Sequence, residues 1–184
     1  MKETVERWHE AVDIPNLLLS LGEDLEREGL ERTPERVKKT WEEFLNGYTL
    51  SAEELLAQTF ESEGGGTQIC RGIEFTSMCE HHLLPFFGKC HIGYTPKDRV
   101  AGLSKLARLV DCYGRRLQIQ ERMTNQIADA IWEHLEPSGV LVIIEARHMC
   151  CHGRGVERRQ MNFLTTALRG SVARVSYLLL KGDE

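Results

Sequence analysis

The sequence has no basic excess, no long apolar run, no internal repeat and no low-complexity tract. Lys and Arg number 23 against 28 Asp and Glu, a net charge of -5. General nucleic-acid and membrane-surface binders carry the opposite imbalance, so neither class of partner is expected, although a local basic cluster can still hold an anionic small ligand. No stretch is long and apolar enough to predict a transmembrane helix. The opening segment 1-MKETVERWHEAVD-13 is acidic and lacks an apolar centre, which predicts no secretory signal and a cytoplasmic location. Six cysteines would build a disulfide framework in a secreted chain, but Cys79 and Cys150 stand beside histidines, so thiols and metal ligands are predicted instead. Cys70, Cys90 and Cys112 sit in apolar or strand-like settings and read as buried thiols. What is left, 41% hydrophobic and 28% charged residues over 184 positions, is a globular composition sufficient for one domain, or one domain plus a helical arm.

The chemistry centres on 76-TSMCEHHLLPFFGKCHIGY-94. Cys79 and His82 are three positions apart, just before an apolar run, so one tight turn at the mouth of a strand can aim both at a single ion. The best further partner is Cys150, at the exit of the strongest strand candidate, 140-VLVIIEA-146. Three protein ligands leave a tetrahedral zinc one position for water, the catalytic arrangement, whereas four close it as a structural site. Cys151 and His152 both offer a fourth ligand. Adjacent residues of an extended chain point to opposite sides, which favours Cys150 alone, but the spacing leaves the alternative open. His81 and His148 are then unligated imidazoles near the ion, suited to proton transfer around neutral pH.

The rest of the chain supplies the frame. Residues 5 to 21 have helix-compatible spacing interrupted by Pro15, which predicts two short helices or a restart at the proline. Thr33-Pro34 is a start signal for a helix to about Asn46, with Arg36 and Lys39 on one face. A second short helix is predicted over Leu50 to Phe60 with Ser51 as its cap. The glycine run in 61-ESEGGG-66 marks the boundary between a helical arm, 1–63, and a main domain, 64–184. Strands are predicted over 67–78, 86–96, 140–146 and 172–180, and helices from a Ser104 cap to about Gly114 and from Glu121 to Leu135. This gives an α+β unit: two helices over a mostly antiparallel sheet of about four strands, whose open edges call for neighbouring subunits.

Five blocks in order make the chain resemble the GTP cyclohydrolase I family. They are Cys79-Glu80-His81-His82 with Leu83, Leu84, Pro85 and Phe86; 91-HIGYTP-96; 102-GLSKLARLVD-111; 116-RLQIQERMTNQIADAI-131; and 145-EARHMC-150 followed by 154-RGV-156. The resemblance implies a tunnelling fold that assembles into an oligomeric barrel, a homodecamer with active sites at subunit boundaries. It implies GTP as substrate, with 7,8-dihydroneopterin triphosphate and formate as products. It also implies Zn2+ on Cys79, His82 and Cys150, with His81 handling the proton at N7 of guanine and His148 the later proton transfers. Glu121, assisted by Gln120, would grip the guanine edge, and Ser104, Lys105, Arg108, Arg154, Arg36 and Lys39 would surround the triphosphate.

The chain departs from the family pattern after the third ligand, reading Cys150-Cys151-His152-Gly153-Arg154, and 159-RQMNFLTT-166 is poor in the hydroxyl residues usual there. Two alternatives follow. One is a paralogue that stops at an earlier ring-opened intermediate or serves a specialised pterin or deazapurine pathway. The other is a non-catalytic, zinc-stabilised oligomeric scaffold, which requires Cys151 or His152 to close the coordination sphere.

Overall fold

The structure, a computed structural model, describes residues 12–64 and 66–171. Its frame is an antiparallel ladder of β2 (Gln68–Cys79), β3 (Pro85–Thr95), β6 (Gly139–His148) and β7 (Phe163–Gly170), with the two-residue β5 (Leu117–Gln118) lying parallel to the end of β2. The order is β5-β2-β3-β6-β7. Alternation decides which face is covered. Phe75, Phe86, Cys90, Ile92, Tyr94, Val142 and Ile144 turn inward and are buried, against the helices α4 (Leu103–Gly114) and α5 (Gln120–Leu135). The facing stripes, Leu106, Leu109 and Val110 on α4 and Met123, Ile127 and Ile131 on α5, recur at helical spacing and are almost completely buried. Each such side chain contributes roughly 1.5–3 kcal/mol relative to exposure. Gly88 is required where β3 meets β6, since a Cβ there would sit 1.9 Å from the Glu145 carbonyl oxygen.

The path of the chain gives this layer two functional ends. After β3, the short β4 (Arg99–Ala101) pairs with β1 (Thr59–Glu61), and the Ala101 amide donates to the Tyr94 hydroxyl at 3.0 Å. From there α4 runs back along the sheet until Gly114 packs beside Phe75 and Thr76. Leu117 and Gln118 then pair with Met78 and Cys79, which sets the N-terminus of α5 at the Cys79 end. The helices α1 (Ile14–Ser20), α2 (Thr33–Leu45) and α3 (Ala52–Leu56) precede this unit. Asp13 caps α1 at the Asn16 amide and Ser51 caps α3 at the Glu54 amide.

Several boundaries differ from the sequence reading. The helix expected over Leu50–Phe60 stops at Leu56, because Thr59–Glu61 find a strand partner in Arg99–Ala101. Thr33 and Ser104 are not caps: the helices start one and two residues earlier than expected, at Thr33 and Leu103, from Arg32 and Gly102 without side-chain capping bonds. Among the described residues the main sheet has five strands: those expected over 67–78, 86–96 and 140–146 are joined by Phe163–Gly170, read as a connection, which pairs along β6, and by the short β5. Cys150 lies not on an extended exit but on the one-turn helix α6 (Met149–His152). The strand expected over 172–180 and the first residues of the helix expected from residue 5 lie outside the described residues.

Candidate active site

The turn between β2 and β3 is built to present two donors. Its ends are locked by backbone bonds from the Leu83 amide to the Cys79 carbonyl at 2.8 Å and from the Cys79 amide to the Leu84 carbonyl at 2.9 Å. Closing so tight a loop puts Leu83 at φ 52°, in the left-handed region that a Cβ disfavours. Cys79 is buried while His81 and His82 are exposed. His82 Nδ1 lies 3.8 Å from Cys79 Sγ and His81 Nδ1 lies 3.9 Å from it. Between them Glu80 turns away to a bidentate pair with Arg122 of α5, at 2.5 and 2.9 Å, and the guanidinium hydrogen bonds hold its carboxyl below the usual carboxylate range. That pair ties the turn to the first turn of α5.

Cys150 completes a cluster. The ligand atoms of Cys79, His82 and Cys150 all lie within 4.8 Å of one another, the one such set of His, Cys, Asp and Glu among the described residues. Zinc bonds of about 2.3 Å to sulfur and 2.0 Å to nitrogen set tetrahedral ligand atoms roughly 3.5–3.8 Å apart, so small side-chain adjustments suffice. Two thiols and an imidazole are also the donor chemistry zinc favours, and the set fits it. Without a cation Cys150 resists ionising: burial, then the neighbouring Cys151 and Cys79, push its thiol up to about 11. A bound dication reverses that balance by stabilising both thiolates. Cys151 and His152 stand outside the set. Cys151 Sγ is 3.9 Å from Cys150 Sγ, and His152 Nε2 is turned to the Met161 carbonyl at 3.2 Å. Three protein ligands therefore leave one coordination position for water.

His148, the last residue of β6, is half-buried beside this cluster, its ring stacked on Phe86. Its Nε2 lies 2.9 Å from Gln120 Oε1. Burial lowers its pKa, against an opposing pull from Glu121. Gln120 and Glu121 open α5 at this same end, but they differ: Glu121 is exposed, whereas Gln120 is 1% exposed. The Gln120 amide is engaged by protein partners: the two hydrogens of Nε2 are shared among three acceptors, the Ile144 and Phe163 carbonyls at 3.0 and 2.9 Å and Thr165 Oγ1 at 3.1 Å.

Ser104, Lys105 and Arg108 do not lie at the cluster within one chain. Ser104, Lys105 and Arg108 occupy the start of α4, close to Ala101 and Tyr94. Cys79 is at the opposite end of a ladder running from Gln68 with Tyr94 to Met78 with Pro85, a span on the order of 30 Å at about 3.3 Å per residue. Arg36 and Lys39 are exposed on α2, and Arg154 is exposed just beyond α6. A cleft of about 620 Å³ between α2 and the β2–β3 ladder, lined by Thr40, Glu43, Glu74, Lys89, Asp111 and Arg115 among others, contains none of the candidate residues. The Glu80–Arg122 pair was not anticipated from sequence: its members are 42 residues apart, and no local spacing signals them.

Comparison with known proteins bears on the same residues. A family model described as GTP cyclohydrolase I matches residues 10–178. The chain is 52% identical over 151 residues to GTP cyclohydrolase 1 of Wolinella succinogenes, covering 82% of this chain and 81% of that one. It is 49% identical over 154 residues to GTP cyclohydrolase 1 of Deinococcus radiodurans, covering 83% and 71%, and 47% identical over 154 residues to that of Clostridium perfringens, covering 84% and 83%. Among solved structures, the crystal structure of the archaeosine synthase QueF-Like in the apo form is similar with a TM-score of 0.50 at 14% identity, covering 60% of this chain and 99% of that one, a likeness of fold alone.

Proposed function

The chain belongs to the GTP cyclohydrolase I family, and on that premise we propose how its side chains carry the family reaction, conversion of GTP to 7,8-dihydroneopterin triphosphate and formate at the head of pterin and folate biosynthesis. The α+β architecture, a helical arm followed by an antiparallel sheet with two helices on one face, is the family's tunnelling fold. The observation that carries the reading is the three-donor cluster of Cys79, His82 and Cys150 with His81 and His148 left unligated beside it.

Cys79, His82 and Cys150 would hold zinc, which when bound supplies the Lewis acidity that lets water attack C8 of guanine at neutral pH. His81, exposed next to Cys79, handles the proton at N7 as the imidazole ring opens. His148 serves the later transfers, in which formate leaves and the ribose carbons rearrange and close onto the freed amine. Glu121, exposed in the first turn of α5, accepts from the ring N–H and the exocyclic amine of guanine together, a geometry suited to a carboxylate. Lys105, Arg108, Arg154, Arg36 and Lys39 neutralise the triphosphate, with Ser104 in the first turn of α4, where free backbone N–H groups also attract anions.

The distance between the Ser104–Arg108 segment and Cys79 supports a site shared between copies of the chain, and we assign the assembly as a homodecamer with sites at subunit boundaries. The boundary between arm and catalytic domain falls at residues 63 and 64. All six cysteines are free thiols, which supports a reducing, cytoplasmic setting. No helix among the described residues is long and apolar enough to cross a membrane. The coordination position left open by Cys151 and His152 favours catalysis over a zinc-closed scaffold.

The test is incubation of zinc-loaded protein with GTP while formate and pterin are followed together. Both should appear in equal amounts, and formate without pterin would select the arrested reaction. His81→Ala should retain zinc and assembly but release no formate, and loss of zinc in that variant would overturn its assignment as a non-ligand. Glu121→Ala should raise KM for GTP and leave zinc content unchanged. Unaltered turnover at low GTP would remove it from the guanine site.

A further inference from the structure

We propose that Gln120 is a positioning residue: it fixes the His148 ring with Nε2–H bound and Nδ1 free to accept a proton, and does not itself contact guanine. The inference rests on the reading of His148 as a proton carrier and assigns the atom that does the carrying.

Counting donors and acceptors fixes the orientation of the Gln120 amide. Thr124 Oγ1 donates to the Gln120 carbonyl at 2.7 Å, which uses its only proton. The contact of 2.6 Å between Thr124 Oγ1 and Thr165 Oγ1 must then be donated by Thr165. With its proton spent, Thr165 Oγ1 can only accept from Gln120, at 3.1 Å. The Gln120 nitrogen thus faces three acceptors: the Thr165 hydroxyl oxygen and the carbonyls of Ile144 and Phe163. Flipping the amide would set its oxygen against two carbonyls inside a buried site, so the orientation is determined by the surroundings. Gln120 Oε1 therefore points at His148 Nε2, 2.9 Å away. An amide oxygen only accepts, so in the neutral ring Nε2 carries the hydrogen and Nδ1 the lone pair. The 4.5 Å stack on Phe86 holds the ring plane, and the amide holds its rotation within that plane. A side chain 1% exposed with its amide fully engaged has no group left to offer a nucleotide.

Two measurements on zinc-loaded, assembled enzyme test this. In protein carrying 15N-histidine, with the His148 signals identified by their loss in His148→Asn, the ring should show the Nε2–H tautomer. In Gln120→Met, which keeps the volume and removes the acceptor, it should shift to a mixture. An Nδ1–H ring in the unsubstituted protein, or no change on substitution, would overturn the proposal. In kinetics, Gln120→Met should lower kcat about 30-fold, less than the roughly 10²- to 10⁴-fold that a placed acid or base supplies, because the imidazole itself is retained. KM for GTP should stay within about twofold. A raised KM with kcat retained would make Gln120 a guanine contact and sink the idea. If Gln120→Met fails to assemble, the tautomer of the unsubstituted protein still decides. Failure of the unsubstituted enzyme to release formate from GTP would instead refute the functional reading, independently of the tautomer.

Discussion

His148 and Phe86 lie face to face, ring centroids 4.5 Å apart and planes within 1°. They are directly paired residues of β6 and β3, and Phe86 is completely buried with its other contact edge-on to Phe75. The core therefore extends without a break to a half-buried imidazole at the metal end, and the precision of that ring is inherited from apolar packing.

Phe86→Leu should show this dependence. Loss of the flat partner costs about 1–2 kcal/mol of stability through imperfect packing and the missing aromatic contact. It should also lower kcat several-fold with zinc content unchanged, as measured by denaturation and turnover on the same preparation. An unaltered kcat at reduced stability would show that the stack does not guide His148.

Leu83 holds φ 52° only because the bonds of the turn impose it. Leu83→Gly removes the steric penalty of about 1 kcal/mol, partly offset by the greater freedom of glycine in the unfolded chain. Leu83→Val should cost about 1–2 kcal/mol and weaken zinc retention, because branching at Cβ worsens the same clash. Competition for zinc against a chelator, run on both variants, reads the order: Gly at or above the parent, Val below it.

Arg122→Gln should loosen the turn without removing a ligand. Zinc affinity is expected to fall by about tenfold, in the range that partners behind metal ligands command. The pair is part-exposed, so in the parent protein 1 M salt should reproduce part of the loss, whereas the variant should be insensitive to salt. Equal salt dependence in the two would remove Glu80–Arg122 from the account.

His91 lies on β3, away from the metal end, and carries a pH dependence of its own. Burial, then Arg71, lowers its pKa, with Glu145 opposing and Lys89 adding to the effect. The Gly72 amide also donates to its Nδ1 at 3.3 Å, a bond that protonation there would break. The unfolded chain, with a value near 6.5, therefore binds the proton more readily, so stability is lost as pH falls from about 6.5 toward the lower folded value. His91→Gln should flatten that part of the stability profile. A steep loss persisting in the variant would place its origin elsewhere.

The metal donors were legible because Cys79 and His82 are joined by a local turn, and because Cys150 follows a strongly apolar strand. The covered face of the sheet was legible for the same kind of reason, in the helical stripes of Leu106, Leu109 and Val110 and of Met123, Ile127 and Ile131. Long-range commitments were not. The partners of the Gln120 amide lie 24, 43 and 45 residues away, and only the folded register brings Ile144, Phe163 and Thr165 to one point. Phe163–Gly170 was missed as a strand because its outward residues Leu164 and Leu168 are apolar and half-exposed, which erases the alternation that marks a one-sided strand. The short α6 likewise has too few residues to carry a period.

The opposite placement of Cys79 and Lys105 along one sheet has a consequence for inheritance. On the shared site proposed above, a chain damaged at the metal end and a chain damaged at the start of α4 would each be inactive alone, yet each would still bring what the other lacks. Refolded together as one assembly, Cys150→Ala and Lys105→Ala chains mixed in equal numbers leave about one site in four with both halves intact, by random association around a symmetric ring. Two null alleles of this gene would thus complement one another in the same cell.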